Sequence, residues 1–150
     1  MKKVIIVRHG ETDWNNVNRV MGWQNRHLNS TGKQQAVQLA FYLKQEYDVE
    51  TIFSSDLLRA RETANIIHAL GYPGISKPVL SKELREQKQG KLEGLESRKI
   101  PPEYDLSSIS LAEALTKAPP GGENIKEFNE RTINFFLIFF CLPHLGLFYL

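Results

Sequence analysis

Val4-Ile5-Ile6-Val7 runs straight into Arg8-His9-Gly10-Glu11-Thr12, and that junction constrains the chain more than any other stretch. A run of β-branched residues without polar alternation reads as a strand buried on both faces, here over Lys3 to Val7. The polar residues after it then stand where the strand ends and the backbone turns. In open α/β sheets that end of a strand borders the crevice in which ligands bind. A histidine placed there can act as a nucleophile, and an adjacent arginine can hold an anion through its fork of N–H groups. A strand that merely ends in polar residues is the plainer reading. The rest of the chain decides between them.

Beyond that turn, helix and strand signals alternate along the chain. Residues from Glu11 to about Ser30 are rich in Asn, Gly and polar side chains and read as a long loop over the strand end. Thr31 or Ser30 caps a helix to about Tyr47, with Ala36, Leu39, Ala40, Leu43 and Tyr47 on one face. Thr51 to Ser54 reads as a second strand. Ser55 or Asp56 then caps a helix carrying Leu57, Ala60, Ala64, Ile67 and Leu70, stopped by Gly71 and Pro73. Val79-Leu80 suggests a further strand. Gln87 to Gly122 is polar and broken by proline pairs, with one helical turn around Leu111 to Leu115. Glu123 to about Phe140 returns to helical spacing. This order is the pattern of an α/β protein whose parallel sheet is connected by helical crossovers.

Composition narrows the function classes. At 150 residues and 17.2 kDa the chain is one domain with room for a proper core. A net charge of +2 is too small to argue for a nucleic-acid partner. The single cysteine, Cys141, excludes an internal disulfide and fits a reducing compartment. The N-terminal apolar run is too short for a signal peptide, so a cytoplasmic location is expected. After Arg131 no charged residue occurs, and five of the eight phenylalanines lie between Phe135 and Leu150. A membrane span needs about 20 apolar residues. This tail is shorter and is broken by Pro143, His144 and Gly146, so no membrane partner is expected, although membrane association is the reading from a different class that it raises.

Arg59 falls in the first turn of the second long helix, where exposed amide N–H groups and a positive partial charge favour phosphate. If the strands are neighbours, Arg8 and Arg59 converge beside His9 and form an anion pocket. Phosphoryl transfer asks for such neutralisation, together with in-line positioning of a nucleophile. Two cations would also keep His9 neutral and able to attack. A leaving alkoxide needs a proton, for which Glu86 is the best-placed carboxylate, with Glu11 and Asp13 as competitors. Taken singly, Arg59 and Glu86 read more readily as exposed surface residues. His27, His68 and His144 lack metal-ligand spacing, and no metal or other cofactor is implied.

Arg8 to Thr12 with Trp14-Asn15, Gly22-Trp23 and Leu28 through Ala36 resembles the histidine phosphatase superfamily, the phosphoglycerate-mutase-like proteins. Ser54 to Ala64, Leu84 to Gly94 and Pro120 to Asn124 match further blocks in the same order. The resemblance covers Met1 to about Asn134, an incomplete phosphatase domain at 1–134 followed by an atypical apolar tail at 135–150. It implies a three-layer α/β/α fold with a mostly parallel sheet. It also implies that His9 becomes phosphohistidine, that Arg8 and Arg59 clamp phosphate, and that Glu86 protonates the leaving group. Asn15 and Gly22 are further phosphate or substrate contacts by the same resemblance.

Members of this family that act as cofactor-dependent mutases carry a long basic insertion after the Glu86 block. Here Glu93 to Pro120 is short, with Arg98, Lys99 and Lys117 its only basic residues, which favours hydrolysis of small phosphorylated metabolites over bisphosphate retention. A mutase-type transfer and an inactive phosphate-binding remnant are the alternatives. The family also carries a second catalytic histidine in a His-Gly pair ending a later strand. His144 is preceded by proline and followed by leucine and fits that role poorly. The tail therefore reads as a truncated or frame-altered ending that lacks the last strand.

Overall fold

The computed structural model describes residues 3–141. Its elements are α1 (Asp13–Asn16), α2 (Ser30–Glu46), β1 (Phe53–Ser55), α3 (Leu58–Gly71), β2 (Val79–Ser81), α4 (Leu111–Thr116) and α5 (Ile125–Cys141), with short 3-10 turns between β2 and α4. The sheet is a parallel β1–β2 pair, Phe53 opposite Val79 and Ser55 opposite Ser81. The α/β class and the helical crossover stand. The described residues hold no more sheet than this pair.

Residues 3–7 depart from expectation. The apolar run predicts a strand, yet it joins no ladder among the described residues. Its packing nonetheless alternates as an extended chain would. Ile5 and Val7 lie against Ala40, Leu43, Ile52 and Ile67 on the α2–α3 side. Val4 lies on the other side against Phe53, Leu84 and Phe135. The segment thus packs between the α2–α3 cluster and the Phe53–Leu84–Phe135 cluster, no lateral backbone hydrogen bond joins it among the described residues, and Ile6 remains 66 % exposed. Hydrophobic pattern sets which faces are buried, whereas a strand also needs a neighbour to bond to.

On one face α2 and α3 pack together, burying Ala36, Ala40 and Leu43 against Ala64 and Ile67. On the other, α5 presents Phe135, whose ring meets Phe53 edge-on at 5.7 Å. That helix runs unbroken through the boundary drawn after Asn134. His144 lies outside the described residues.

Helix starts show where local sequence misleads. The N-cap of α2 is Asn29 rather than Thr31 or Ser30, its side chain accepting from the Gly32 amide at 2.8 Å. Helix α3 is not capped by Ser55 or Asp56. Asn25, distant in sequence, accepts from the Leu58 amide at 2.9 Å. Asp56 instead forms a two-pronged pair with Arg85, which holds its carboxyl below the usual carboxylate range. The expected long loop after Glu11 contains one helical turn, α1, fixed by a reciprocal cap between Thr12 and Asn15.

Candidate active site

The turn after Val7 delivers Arg8 and His9 into a cavity of about 740 Å³ that Asn15, Arg59 and Glu86 also line. This size suits a small-molecule ligand. Close approach of two backbones shapes the turn. A Cβ on Gly10 would fall onto the Gly32 carbonyl, so the chain after His9 lies directly on the start of α2. The Gly10 amide donates to Thr63 Oγ1 at 3.1 Å, and that hydroxyl donates to the Arg59 carbonyl at 2.8 Å. Thr63 thereby ties the turn bearing His9 to the helix bearing Arg59. Its contact with Gly10 spans 53 residues of sequence and has no local signal.

One hydrogen bond fixes the tautomer of His9. Its Nδ1 lies 2.7 Å from the Gly10 carbonyl oxygen. A carbonyl only accepts, so the ring proton sits on Nδ1 and Nε2 keeps its lone pair. Burial first, then Arg59 and Arg8, lower the imidazole pKa to about 4 against the opposing bond to Gly10. The ring is therefore neutral at physiological pH. Folding favours the neutral ring, so this stability is complete above the ordinary histidine value near 6.5 and is lost as pH falls toward about 4. Titrating the His9 ring by nitrogen-15 NMR should give a midpoint near 4. A midpoint near 6.5 would show an unperturbed, solvated ring.

Arg59 is 2 % exposed. Its Nη2 donates to the Gly22 carbonyl at 2.9 Å and to Glu86 Oε2 at 2.8 Å, and Nη1 donates to the Gln24 carbonyl at 3.0 Å. Nε–H and one Nη1 proton remain for a ligand in the cavity. Gly22, expected to contact phosphate or substrate, does not line the cavity; its carbonyl instead supports Arg59 from beneath. It takes φ +48°, and a Cβ there would strike the Glu93 carboxylate. Glu93 accepts from the Trp23 amide at 2.9 Å and the Gln24 side chain at 2.9 Å, holding the loop that holds Arg59. In the sequence Glu93 stands out only as part of a block.

Glu86 is 43 % accessible and lines the cavity. Burial raises its carboxyl above the ordinary range, partly offset by Arg59. A raised carboxyl beside a leaving group is suited to donate a proton. Asn15 commits Oδ1 to the Thr12 amide and hydroxyl, each at 2.9 Å, leaving its Nδ2 donors for a ligand. Arg8 is exposed and lines the cavity. Of the competing carboxylates, Glu11 bonds Asn29 at 2.8 Å, and neither it nor Asp13 lines the cavity. Arg19, Lys117 and Tyr104, not singled out as binding residues by the sequence, do line it.

His27 pairs with Glu62 at 2.5 Å, and His68 bonds the Ile75 carbonyl at 3.0 Å. Neither reaches the cavity, so His9 is the one histidine lining it among the described residues. No group of three His, Cys, Asp or Glu side chains there could hold a metal. No described helix is long and apolar enough to cross a membrane.

A neutral histidine and two arginines around one cavity are the site of an α/β protein suited to an anionic ligand. The sequence profile of the histidine phosphatase superfamily (branch 1) matches residues 4–137, and the chain belongs to that superfamily. Phosphoglycerate mutase-like protein 4 of Arabidopsis thaliana is 36% identical over 132 residues, covering 86% of this chain and 56% of that protein. The metal-independent phosphoserine phosphatase of Arabidopsis thaliana is 33% identical over 135 residues, covering 88% and 56%. A crystal structure of phosphoglycerate mutase from Thermus thermophilus superposes with a TM-score of 0.72 at 36% identity, covering 97% of this chain and 75% of that one. The chain spans roughly half to two-thirds of the length of such curated relatives. The fold of this neighbour agrees with the α/β layering of the chain.

Proposed function

We propose that this chain hydrolyses phosphomonoesters of small metabolites through a phosphohistidine at His9. The observation that carries the reading is the His9–Gly10 bond, which leaves an unprotonated Nε2 in a cavity shared with Arg8 and Arg59. Nε2 attacks phosphorus, the P–O ester bond breaks, and the departing alkoxide takes the proton of the Glu86 carboxyl. Water then attacks the phosphohistidine, passes a proton to the Glu86 carboxylate and releases inorganic phosphate. Arg8, Arg59 and the Asn15 amide neutralise and orient the transferring group.

The names of several relatives favour a second reading, phosphoglycerate mutase-type transfer. That chemistry has to hold a second phosphate while the first is transferred. Arg98 and Lys99 instead pair with Glu96 at the surface, at 2.7 and 3.0 Å. Lys117 lines the cavity but lies over the Tyr104 ring at 5.2 Å. The surface pairing of Arg98 and Lys99 supports hydrolysis, while Arg19 and Lys117 are the cations in the cavity that a mutase reading would use. Incubation with a phosphoglycerate, with and without its bisphosphate, separates the readings: phosphate release is expected, and net isomerisation would favour the mutase. Phosphate binding with no phosphoenzyme and no turnover would leave an inactive binding remnant.

Glu86 supplies a sharper test. Glu86→Gln should slow alkyl phosphates about a hundredfold or more and aryl phosphates with good leaving groups far less, because only the former need a proton. An equal loss on both ester types would remove Glu86 from the acid role.

A further inference from the structure

We propose that Arg131, acting with Trp23, is the positioning device that aims the Glu86 carboxyl at the leaving group, an inference that rests on the acid role proposed for Glu86. Glu86 stands on a stretch with neither helix nor strand to fix it, just past the 3-10 turn Lys82–Leu84. The Arg85 amide closes this turn on the Lys82 carbonyl at 3.1 Å, and the carbonyls that follow have no partners within it. One guanidinium from α5 supplies them. Arg131 Nη1 donates to the carbonyls of Lys82, Glu83 and Arg85 at 3.3, 2.7 and 3.1 Å. Its Nη2 donates to those of Arg85 and Glu86 at 3.1 and 3.4 Å.

Two further contacts lock the clamp. Glu123 holds Arg131 Nη2 at 2.6 Å and accepts from the Lys88 amide at 2.8 Å, bracketing Glu86 from the far side. Trp23 Nε1 donates to the Glu86 carbonyl at 2.8 Å. Its ring lies under the Arg85 guanidinium at 4.6 Å and within 6.0 Å of that of Arg131. Trp23 adjoins Gly22, whose carbonyl receives Arg59, so one loop sets both the phosphate clamp and the acid. Neither Arg131 nor Trp23 lines the cavity. Both act only through the backbone that carries Glu86. A planar fork spanning several carbonyls is a task that lysine, a point charge, cannot reproduce.

The experiment compares Arg131→Lys and Trp23→Phe with Glu86→Gln on an alkyl phosphate and on 4-nitrophenyl phosphate. Trp23→Phe keeps an aromatic ring against Arg85 and deletes only the N–H, and a thermal melt of each variant checks that the fold is kept. Each positioning variant should lose about tenfold in kcat on the alkyl ester, less than about threefold on the aryl ester, and change KM little. A carbon-13 titration of the Glu86 carboxyl in the full chain gives a readout independent of turnover. Its midpoint should fall toward the ordinary glutamate value in Trp23→Phe as the carboxyl loses its fixed, partly enclosed setting and turns further into solvent. Equal losses on both esters, an effect confined to KM, or an unmoved carboxyl midpoint would overturn the positioning role. Failure of Glu86→Gln itself to discriminate the esters would overturn the acid assignment and this inference with it.

Discussion

His9→Ala should abolish acid-labile phosphoenzyme formation, lowering labelling from an activated aryl phosphate by at least about a thousandfold. Inorganic phosphate should still bind within about threefold of the parent affinity, because the charges of Arg8 and Arg59 remain. The two halves of this result separate nucleophile from pocket. Loss of both would mean that His9 is a structural part of the turn, whose bond to Gly10 and proximity to α2 hold the binding groups in place. Undiminished labelling would move the nucleophile elsewhere, and no second histidine lines the cavity among the described residues. The assay needs no knowledge of the physiological substrate. It reads the neutral, Nδ1-protonated ring directly as chemistry.

The parts of this site that are legible in sequence are those whose position comes from local rules. Arg8 and His9 stand at the end of an apolar run, and Arg59 stands in the first turn of a helix after a strand. Both placements rest on periodicity and on the ligand-binding habit of α/β sheets. Arg59 taken alone reads as a surface residue, yet it is almost wholly enclosed. Its burial depends on the carbonyls of Gly22 and Gln24, which arrive from 37 and 35 residues away. Asn25 and Arg131 carry no signal of their role in sequence, and Thr63 and Glu93 appear there only inside larger blocks, for the same reason. Each is an unremarkable polar residue until the fold brings its partner near. The strand expected at residues 3–7 fails differently: pattern dictates which faces are buried, but ladder bonds require a neighbour that pattern does not specify.

Arg59→Ala should produce the second large effect, weakening inorganic phosphate binding by roughly ten- to a hundredfold, the range set by a hydrogen bond to a charged group. The same change should lower the melting temperature, since the carbonyls of Gly22 and Gln24 and the Glu86 Oε2 all lose their donor. Arg61→Ala is the control. It lies on the same helix, does not line the cavity and carries the same formal charge, so it should change phosphate affinity by less than about threefold. Arg59→Lys distinguishes charge from geometry. A lysine restores the positive charge but cannot reach two carbonyls, Glu86 and a phosphate at once, so most of the affinity should stay lost. Full recovery by lysine would mean that the site needs only a nearby cation. Equal losses at Arg59 and Arg61 would mean that phosphate is gathered by the general charge of α3, and that the enclosed fork beside His9 is not the binding group.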